Sequence, residues 1–358
     1  MSINGEFAFI EAIRRLADGL PASGVAVGIG DDAALVRTSG TTLLSVDALI
    51  EGVHFRSAWL SPRALGRRAF RVAVSDIAAM GGKPRHALLS LAFPKTYPAS
   101  AVQALAGGLL AEAAAAGVAV VGGNLSRARA LAINVTISGQ AAARSLTRAR
   151  AKAGQAVFVT GTLGDAAAGV KQLGKGKRRG RLVESYRLPP LRLDVGRALA
   201  ARPGVGAAID VSDGLVADLA HVCRASSVAI RLDTATLPVS TALARYARTR
   251  DALSYALGGG EDYELAFTAR PREAAPHARC QPPWPYSRGL ADEAARLLAP
   301  SSALPWRRSG RTLRPFLPLL PRRGAVVSPP CPGKAPPFLA LHQPLGGRAK
   351  KGELSPLK

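Results

Sequence analysis

Residues 61–93, SPRALGRRAFRVAVSDIAAMGGKPRHALLSLAF, join a helix pattern to a strand pattern through a pair of glycines. Ser61 is a typical N-cap residue and Pro62 suits the first helical turn, whereas Gly81 and Gly82 end the helical pattern. The apolar run HALLSLAF has the length and composition of a strand. A helix that leads directly into a buried strand is typical of an α/β protein, in which helices cover a sheet.

The same alternation of helix and strand patterns extends outward to residue 1 and to about residue 269. Further helices are predicted in PASAVQALAGGLLAEAAAAG and SDGLVADLAHVCRASS, and further strands in TLLSVDA, VAVVGG, LAINVTISG, QAVFVTG and VAIRLD. The polar, basic stretch SLTRARAKAG separates the two halves. We therefore predict an α/β (α+β) fold with an N-terminal domain over residues 1–148 and a C-terminal domain over residues 149–269.

Residues 270–358 differ in composition from the rest of the chain. They hold 17 of the 26 prolines and carry 16 Lys and Arg against 4 Asp and Glu, so they supply half of the net charge of +24. In residues 270–289 and 328–352 the prolines are too dense for helices or central strands, and only GLADEAARLLA has a helix pattern. We predict that this tail is disordered or loosely packed, or that it reflects a shifted reading frame of a GC-rich gene.

Composition limits the function classes. A net charge of +24 suggests nucleic-acid binding, but its concentration in the tail makes that interpretation weaker. Three scattered cysteines, Cys223, Cys280 and Cys331, are too few for a disulfide framework and favour a reducing compartment. Charged residues near the N-terminus exclude a secretory signal, and no apolar run approaches the roughly 20 residues of a membrane helix. We predict a cytoplasmic protein that binds no membrane.

The stretch VAVGIGDDAALV, residues 25–36, has two interpretations. The spacing of Gly28, Gly30 and Ala33, with Glu51 further on, loosely matches a dinucleotide-binding fingerprint. That loop would need bare N–H groups facing a pyrophosphate, whereas Asp31 and Asp32 would place two negative charges there. The pair of aspartates therefore favours phosphate bound through a metal ion.

Acidic residues are scarce, yet many follow a strand or a turn. These residues are Asp31, Asp32, Asp47, Asp76, Asp210, Asp213, Glu261 and Asp262. Mg²⁺ takes oxygen ligands and usually binds through a few carboxylates together with substrate phosphates. Any single one of these residues could instead cap a helix or form a turn. The set predicts several Mg²⁺ ions around a nucleoside triphosphate, in an enzyme that lacks both the P-loop motif and the protein-kinase motifs.

Nine segments in order resemble the thiamine-monophosphate kinase family of the aminoimidazole-ribonucleotide synthetase-like superfamily. They are GEFAFI, GIGDDAALV, SVDALIEGVHF, AFRVAVSDIAAMGGKPRHALLSLAFP, VVGGN, LTRARAKAG, VFVTGTLGDAAAG, IDVSDGLVADLAHV and ALGGGEDYELAFTA, and they span roughly residues 4–269. The resemblance implies phosphorylation of thiamine phosphate to thiamine diphosphate, with ATP as co-substrate and several Mg²⁺ ions. It also implies direct in-line transfer and a homodimer formed through the N-terminal sheets.

The resemblance also implies roles for individual residues. The implied metal ligands are Asp32, Ser45, Val46, Asp47, Asp76, Asn124, Asp210 and Asp213, with Val46 acting through its backbone. The implied ATP contacts are Gly122, Gly123, Arg148 and Ser212, and the implied substrate contacts are His54 and Glu261. No side chain is assigned a covalent role, because such a transfer rests on positioning and electrostatics.

The sequence departs from the family pattern in three places. Asn124 stands where the family ordinarily has aspartate, which is expected to lower Mg²⁺ affinity, and Val46 stands where a hydroxyl residue is common. Nothing after Ala269 matches the family, including its G(F/Y)DHF motif, so impaired activity is one expectation. Two alternatives stay open: another ATP-using enzyme of the same superfamily, or a non-catalytic polyanion-binding protein that acts through the basic tail.

Overall fold

The computed structural model describes residues 12–17, 19–20, 22, 24–27, 35–270 and 326–328 of the chain. The residues of the GIGDD loop, including the predicted ligand Asp32, lie outside the described residues. So does the tail apart from one short strand and Arg270, and what the sequence indicates for these segments stays a prediction.

The N-terminal part is built on a four-stranded mixed sheet with the strand order β3-β6-β4-β5. A short antiparallel hairpin of β1 (Val25–Val27) and β2 (Leu35–Val36) precedes it. The sheet strands are β3 (Thr42–Ile50), β4 (Lys83–Phe93), β5 (Ala119–Arg127) and β6 (Ala132–Gln140). Strands β4 and β5 run parallel and the other neighbours run antiparallel. The parallel pair needs a crossover connection, and a helix provides it.

Two long helices cover one face of this sheet: α1 (Pro62–Ala79) and α2 (Ala99–Ala115). As predicted, Ser61 caps α1, and its side chain accepts a hydrogen bond from the Ala64 N–H at 3.3 Å. Gly81 follows the helix with φ 69°, a conformation that favours glycine. Alternate residues of β6, namely Ile133, Val135 and Ile137, are buried in the core on this face.

The C-terminal part contains a five-stranded antiparallel sheet with the strand order β8-β10-β7-β11-β9. Its strands are β7 (Ala156–Val159), β8 (Val205–Val211), β9 (Ala229–Arg231), β10 (Glu264–Ala269) and β11 (Val326–Ser328). Every residue of β8 and β10 is buried. The tail contributes strand β11, which pairs with both β7 and β9.

Shorter helices surround this second sheet. They are α3 (Asp165–Gly174), α4 (Arg181–Arg187), α5 (Leu193–Ala200), α6 (Leu215–Ser226), α7 (Thr241–Tyr246) and α8 (Thr249–Gly258), with 3₁₀ turns at Arg148–Arg150 and Thr234–Thr236. Within the described ranges, none of the helices has the length and apolarity that a membrane span requires.

The two parts share buried surface. Gly196 of α5 lies so close to α1 that a Cβ there would overlap the Ala78 carbonyl. Leu199 and Ala200 join Ala78 and Ala79 in one apolar cluster, and Tyr186 of α4 joins the N-terminal core. The predicted α/β fold is confirmed, and the contact between the two parts is made along α1.

Candidate functional site

Strand β3 and helix α1 bring the first two predicted acidic positions together. Side chains alternate along a strand, so Ser45 and Asp47 lie on the same face of β3. The Ser45 hydroxyl donates a hydrogen bond to the carboxylate of Asp76, which lies in the last turn of α1. Three of the predicted metal ligands therefore lie on two adjoining elements of the N-terminal part.

The neighbouring residue on α1 connects this group to the C-terminal part. The Ser75 hydroxyl donates a hydrogen bond of 2.7 Å to Oδ2 of Asp210, a buried residue near the end of β8. Because Ser75 and Asp76 are consecutive, the end of α1 contacts β3 through one side chain and β8 through the other. The structure thus brings Asp47, Asp76 and Asp210 to one region between the two parts.

The charges in this region influence one another. The pKa of Asp210 is raised to about 6, mainly by burial and also by the Asp76 charge, against lowering by the Ser75 hydrogen bond and the Arg148 guanidinium. Burial also raises the pKa of Asp47, and the Asp76 and Glu261 charges add to that effect. Carboxyl groups whose pKa is raised by burial and by neighbouring negative charges, as in Asp47 and Asp210, are characteristic of functional sites.

The donor chemistry of this region fits Mg²⁺. Carboxylate and hydroxyl oxygens are the donors that Mg²⁺ prefers, and a dication would relieve the repulsion between these carboxylates. Among the residues that the structure describes, however, no three His, Cys, Asp or Glu side chains are grouped closely enough to hold a metal ion. The predicted ligand Asp32 is not among those residues, and the ligand set stays a prediction.

The loop between β8 and α6 carries Ser212 and Asp213. The carboxylate of Asp218 accepts hydrogen bonds from the backbone N–H groups of Ser212, Asp213 and Gly214, each at 3.1 Å. Burial raises the pKa of Asp218 to about 6, with the Asp210 and Asp213 charges adding to the effect. Asp213 is exposed and Ser212 half-buried. Asp218, which the sequence analysis did not identify, holds this loop in place.

The two predicted substrate residues are linked through α1 and α4. Arg68 of α1 is fully buried, and its guanidinium donates hydrogen bonds to the Glu261 carboxylate and the Tyr186 carbonyl oxygen. The Tyr186 hydroxyl donates a 2.7 Å hydrogen bond to the His54 carbonyl oxygen. Nδ1 of His54 accepts from the Ile50 N–H at 3.0 Å, so a neutral ring carries its proton on Nε2. Sequence reasoning missed both Arg68 and Tyr186.

For the remaining predicted residues, the structure gives no contact that supports the predicted role. Gly123 lies opposite Leu89, and a Cβ there would overlap the Leu89 carbonyl oxygen, so strand packing alone explains this glycine. Asn124 is exposed at the next position of β5. The Val46 side chain lies on the opposite face of β3 from Ser45 and Asp47 and is 65% exposed. Roles for these residues, and for Gly122, at a nucleotide or metal stay predictions.

Comparison with known proteins matches this chain to one family and to named relatives. Residues 30–141 match the family described as AIR synthase related protein, N-terminal domain, and residues 152–277 match the corresponding C-terminal domain. The thiamine-monophosphate kinase of Escherichia coli K12 is 38% identical over 252 residues, which cover 68% of this chain and 76% of that protein.

Two solved structures have folds similar to that of this chain. The thiamine-monophosphate kinase of Stenotrophomonas maltophilia K279a superposes with a TM-score of 0.66 at 36% identity and covers 74% of this chain and 85% of its own. AaThiL, complexed with AMPPCP and TMP, superposes with a TM-score of 0.61 at 33% identity and covers 76% of this chain and 88% of its own.

Proposed function

This chain belongs to the thiamine-monophosphate kinase family, and on that premise we propose that it uses ATP to phosphorylate thiamine phosphate to thiamine diphosphate. Its relatives carry that name at 34% to 38% identity. One solved relative holds AMPPCP, an ATP analogue, together with TMP. For this chain the product would serve thiamine diphosphate biosynthesis.

The observation that carries the proposal is the meeting of carboxylates from both parts at the end of α1. Asp47 and Asp76 come from the N-terminal part and Asp210 from the C-terminal part. The Ser45 hydroxyl bonds the Asp76 carboxylate and the Ser75 hydroxyl bonds the Asp210 carboxylate, so these residues are held at the end of α1. A phosphoryl transfer needs concentrated positive charge around the phosphates rather than a protein nucleophile. A cleft rich in carboxylates meets this need when it holds dications.

We propose that Mg²⁺ is held here by Asp47, Asp76 and Asp210 with the Ser45 hydroxyl, and by the further predicted ligands Asp32, Val46, Asn124 and Asp213. When bound, Mg²⁺ would neutralise charge on the transferred phosphoryl group. Direct in-line transfer from ATP to the substrate phosphate agrees with this arrangement, because every assigned side chain acts by holding or orienting.

The groups around the carboxylates have separable tasks. Arg148 is exposed, and its charge lowers the pKa of Asp210, so its guanidinium is available to pair with an ATP phosphate beside the carboxylates. Ser212, in the loop that Asp218 holds, would contact the nucleotide. His54 and Glu261, joined through Arg68 and Tyr186, would contact thiamine phosphate.

We also propose that the enzyme is a homodimer and that it works in the cytoplasm. The outer face of the N-terminal sheet exposes Leu44 (75%), Val46 (65%) and Leu88 (42%), which supports a second copy as the surface that covers it. Cys223, the cysteine within the described residues, is a free thiol, in agreement with a reducing compartment.

The proposed activity is tested by chromatographic detection of thiamine diphosphate from thiamine phosphate with saturating ATP and Mg²⁺. We expect product from the wild type and at least about a 100-fold lower kcat for Asp76→Asn, because one proposed ligand of the Mg²⁺ that would offset charge on the transferred group is lost. Asp194→Asn, which changes an exposed carboxylate on α5, is the matched control and should keep the wild-type rate. A folded wild-type sample that makes no product would overturn the proposal.

A further inference from the structure

We propose that Arg68 is a positioning residue for the thiamine phosphate site. Arg68 holds the carboxylate of Glu261 in a fixed position relative to the backbone at His54. This inference rests on the proposed function and adds to it a residue that need not touch either substrate. Arg68 lies on α1, Glu261 follows α8 in the C-terminal part, and His54 follows β3. A single guanidinium therefore connects segments from both halves of the chain.

The surroundings of Arg68 are those of a residue that positions a neighbouring side chain. Its side chain is fully buried, and its guanidinium carbon lies 4.1 Å from the centre of the Tyr186 ring and 5.8 Å from that of Tyr263. Its Nε is buried and makes no hydrogen bond within the described part of the chain. Burying an arginine is costly, and an apolar side chain could fill the same volume at lower cost. The charge is thus best explained by what it does to Glu261.

The backbone of Glu261 is held independently of its side chain. Glu261 and Tyr263 have φ values of 74° and 50°, in the left-handed region that such residues rarely adopt. The Glu261 N–H donates to the Ser212 carbonyl and the Tyr263 N–H to the Val211 carbonyl, both at 2.8 Å. This loop is thereby tied to the end of β8, directly after Asp210. The ion pair with Arg68 then fixes the remaining freedom, that of the Glu261 carboxylate.

Tyr186 extends the same set of contacts to His54. Its carbonyl accepts from Arg68, its ring stacks on the guanidinium, and its hydroxyl donates to the His54 carbonyl at 2.7 Å. A lysine in place of Arg68 would keep the positive charge, but a compact ammonium cannot reproduce the planar stack together with both hydrogen bonds. The geometry thus predicts that the change loosens the substrate residues and leaves the nucleotide side of the site unchanged.

The test compares Arg68→Lys with Arg67→Lys, a matched control on the same helix. Arg67 forms its own ion pair with Glu112 at 2.6 Å and is 40% exposed. We expect Arg68→Lys to raise KM for thiamine phosphate by about 10-fold or more, because small displacements of binding groups are costly. KM for ATP should change by less than about twofold. Arg67→Lys should change neither constant by more, because lysine keeps the positive charge beside Glu112, and the recorded hydrogen bond of Arg67 goes to Glu112 rather than to Glu261 or Tyr186.

A double-mutant cycle decides whether Arg68 acts through Glu261. In that case Arg68→Lys combined with Glu261→Gln should weaken thiamine phosphate binding by clearly less than the sum of the two single losses, because only the contribution through Tyr186 and His54 remains. Tyr186→Phe, which keeps the ring and loses the hydroxyl, is a milder variant and should also raise KM for thiamine phosphate selectively. Additive losses in the cycle, or an equal rise of both KM values, would overturn the inference.

The inference and the proposed function can fail separately. Absence of thiamine diphosphate from the wild-type reaction overturns the function. The role of Arg68 is judged by calorimetric titration of the full-length variants with thiamine phosphate, which does not require turnover. Equal affinities of the Arg68→Lys and Arg67→Lys proteins in that titration would overturn the role of Arg68.

Discussion

Asp262 adjoins the loop residue Glu261 but faces away from the candidate site. Its carboxylate accepts hydrogen bonds from the N–H groups of Gly164 at 2.7 Å and Ala166 at 3.3 Å, at the start of α3. Burial raises its pKa to about 7, and the charges of Asp165 and Glu264 add to that rise against the two hydrogen bonds. In the folded protein this side chain therefore binds a proton far more tightly than the ordinary value of 3.8 allows.

This shift makes stability depend on pH in a defined direction. The stabilisation from the protonated form is fully present below the unfolded pKa of 3.8 and is lost as pH rises through about 7. The whole loss is on the order of 4 kcal/mol, since the pKa differs by about 3 units between the two states and one unit corresponds to about 1.4 kcal/mol. We predict that the free energy of unfolding falls from pH 5 to pH 8, and falls less steeply in Asp262→Asn. Urea titrations across this range measure both slopes.

The control for this pH dependence is Asp194→Asn. The Asp194 side chain is 69% exposed and pairs only with Arg197 on the same helix among its described ion pairs. Its replacement should leave the wild-type slope intact. Parallel slopes for Asp262→Asn and the wild type would show that Asp262 does not titrate in this range.

At the scale of residues, the sequence identifies groups that carry charge but not the groups that hold them. Asp47, Asp76 and Asp210 are recognisable as members of a small set of acidic residues in a basic chain, and the structure brings them together. Arg68 is 118 positions from Tyr186 and 193 from Glu261, so no local pattern could reveal its partners. Asp218 is different, because it lies one turn into the helix after Ser212–Gly214, where a carboxylate can cap backbone N–H groups.

At the scale of elements, helices α1 and α2 approach each other through glycine. A Cβ on Gly66 would overlap the Leu105 carbonyl oxygen, and a Cβ on Gly108 would overlap the Arg63 carbonyl oxygen. Each helix thus places a glycine against the backbone of the other. The buried Glu112 of α2 supports the contact through ion pairs with Arg67 at 2.6 Å and Arg71 at 2.8 Å.

This close approach distinguishes two adjacent glycines of α2. We predict that Gly108→Ala lowers the free energy of unfolding by about 2 kcal/mol or more, because the helices must separate to admit the methyl group. Gly107→Ala should instead stabilise by roughly 0.5 to 1 kcal/mol, because alanine favours the helix. The nearest atom to a Cβ at Gly107 is Arg63 Nη1, 3.7 Å away. Chemical denaturation of the two variants gives the comparison, and equal effects would contradict this account.

A helix or strand can be predicted from the sequence when residues within that segment determine its structure. The predicted helix from Ser61 and the strand HALLSLAF are both confirmed, because caps, glycines and apolar period agree there. The other five predicted strands are also found. The short helices α4, α5, α7 and α8 are not evident from the sequence, because helices of two or three turns depend on tertiary packing more than on their own propensity. Strand β8 (VGAAIDV) is buried on both faces and shows no alternation.

At the scale of the whole molecule, the site depends on the contact between the two parts. Helix α1 carries Arg68, Ser75 and Asp76 toward the site and packs against α5 of the C-terminal part. Neither part alone holds Asp76 and Asp210 together. This dependence explains why the sequence motifs place the site residues in seven separate segments, whereas their common location becomes evident only in the folded chain.

The outer face of the N-terminal sheet provides the last prediction, which concerns assembly. Val46 of β3, Thr136 of β6 and Leu88 of β4 are aligned in register across the sheet, and Leu44 lies two residues from Val46 on the same face.

Arginine at position 88 fits an exposed surface but would place two charges together at a two-fold interface. We expect the wild type to show twice its chain mass of 37.0 kDa in light scattering, and Leu88→Arg to show one chain mass. Asp251→Lys, which changes the charge by +2 against +1 for Leu88→Arg, lies on the exposed side of α8 and should stay dimeric. A wild type that is monomeric at tens of micromolar would refute the dimer, and a dimeric Leu88→Arg protein would place the interface elsewhere.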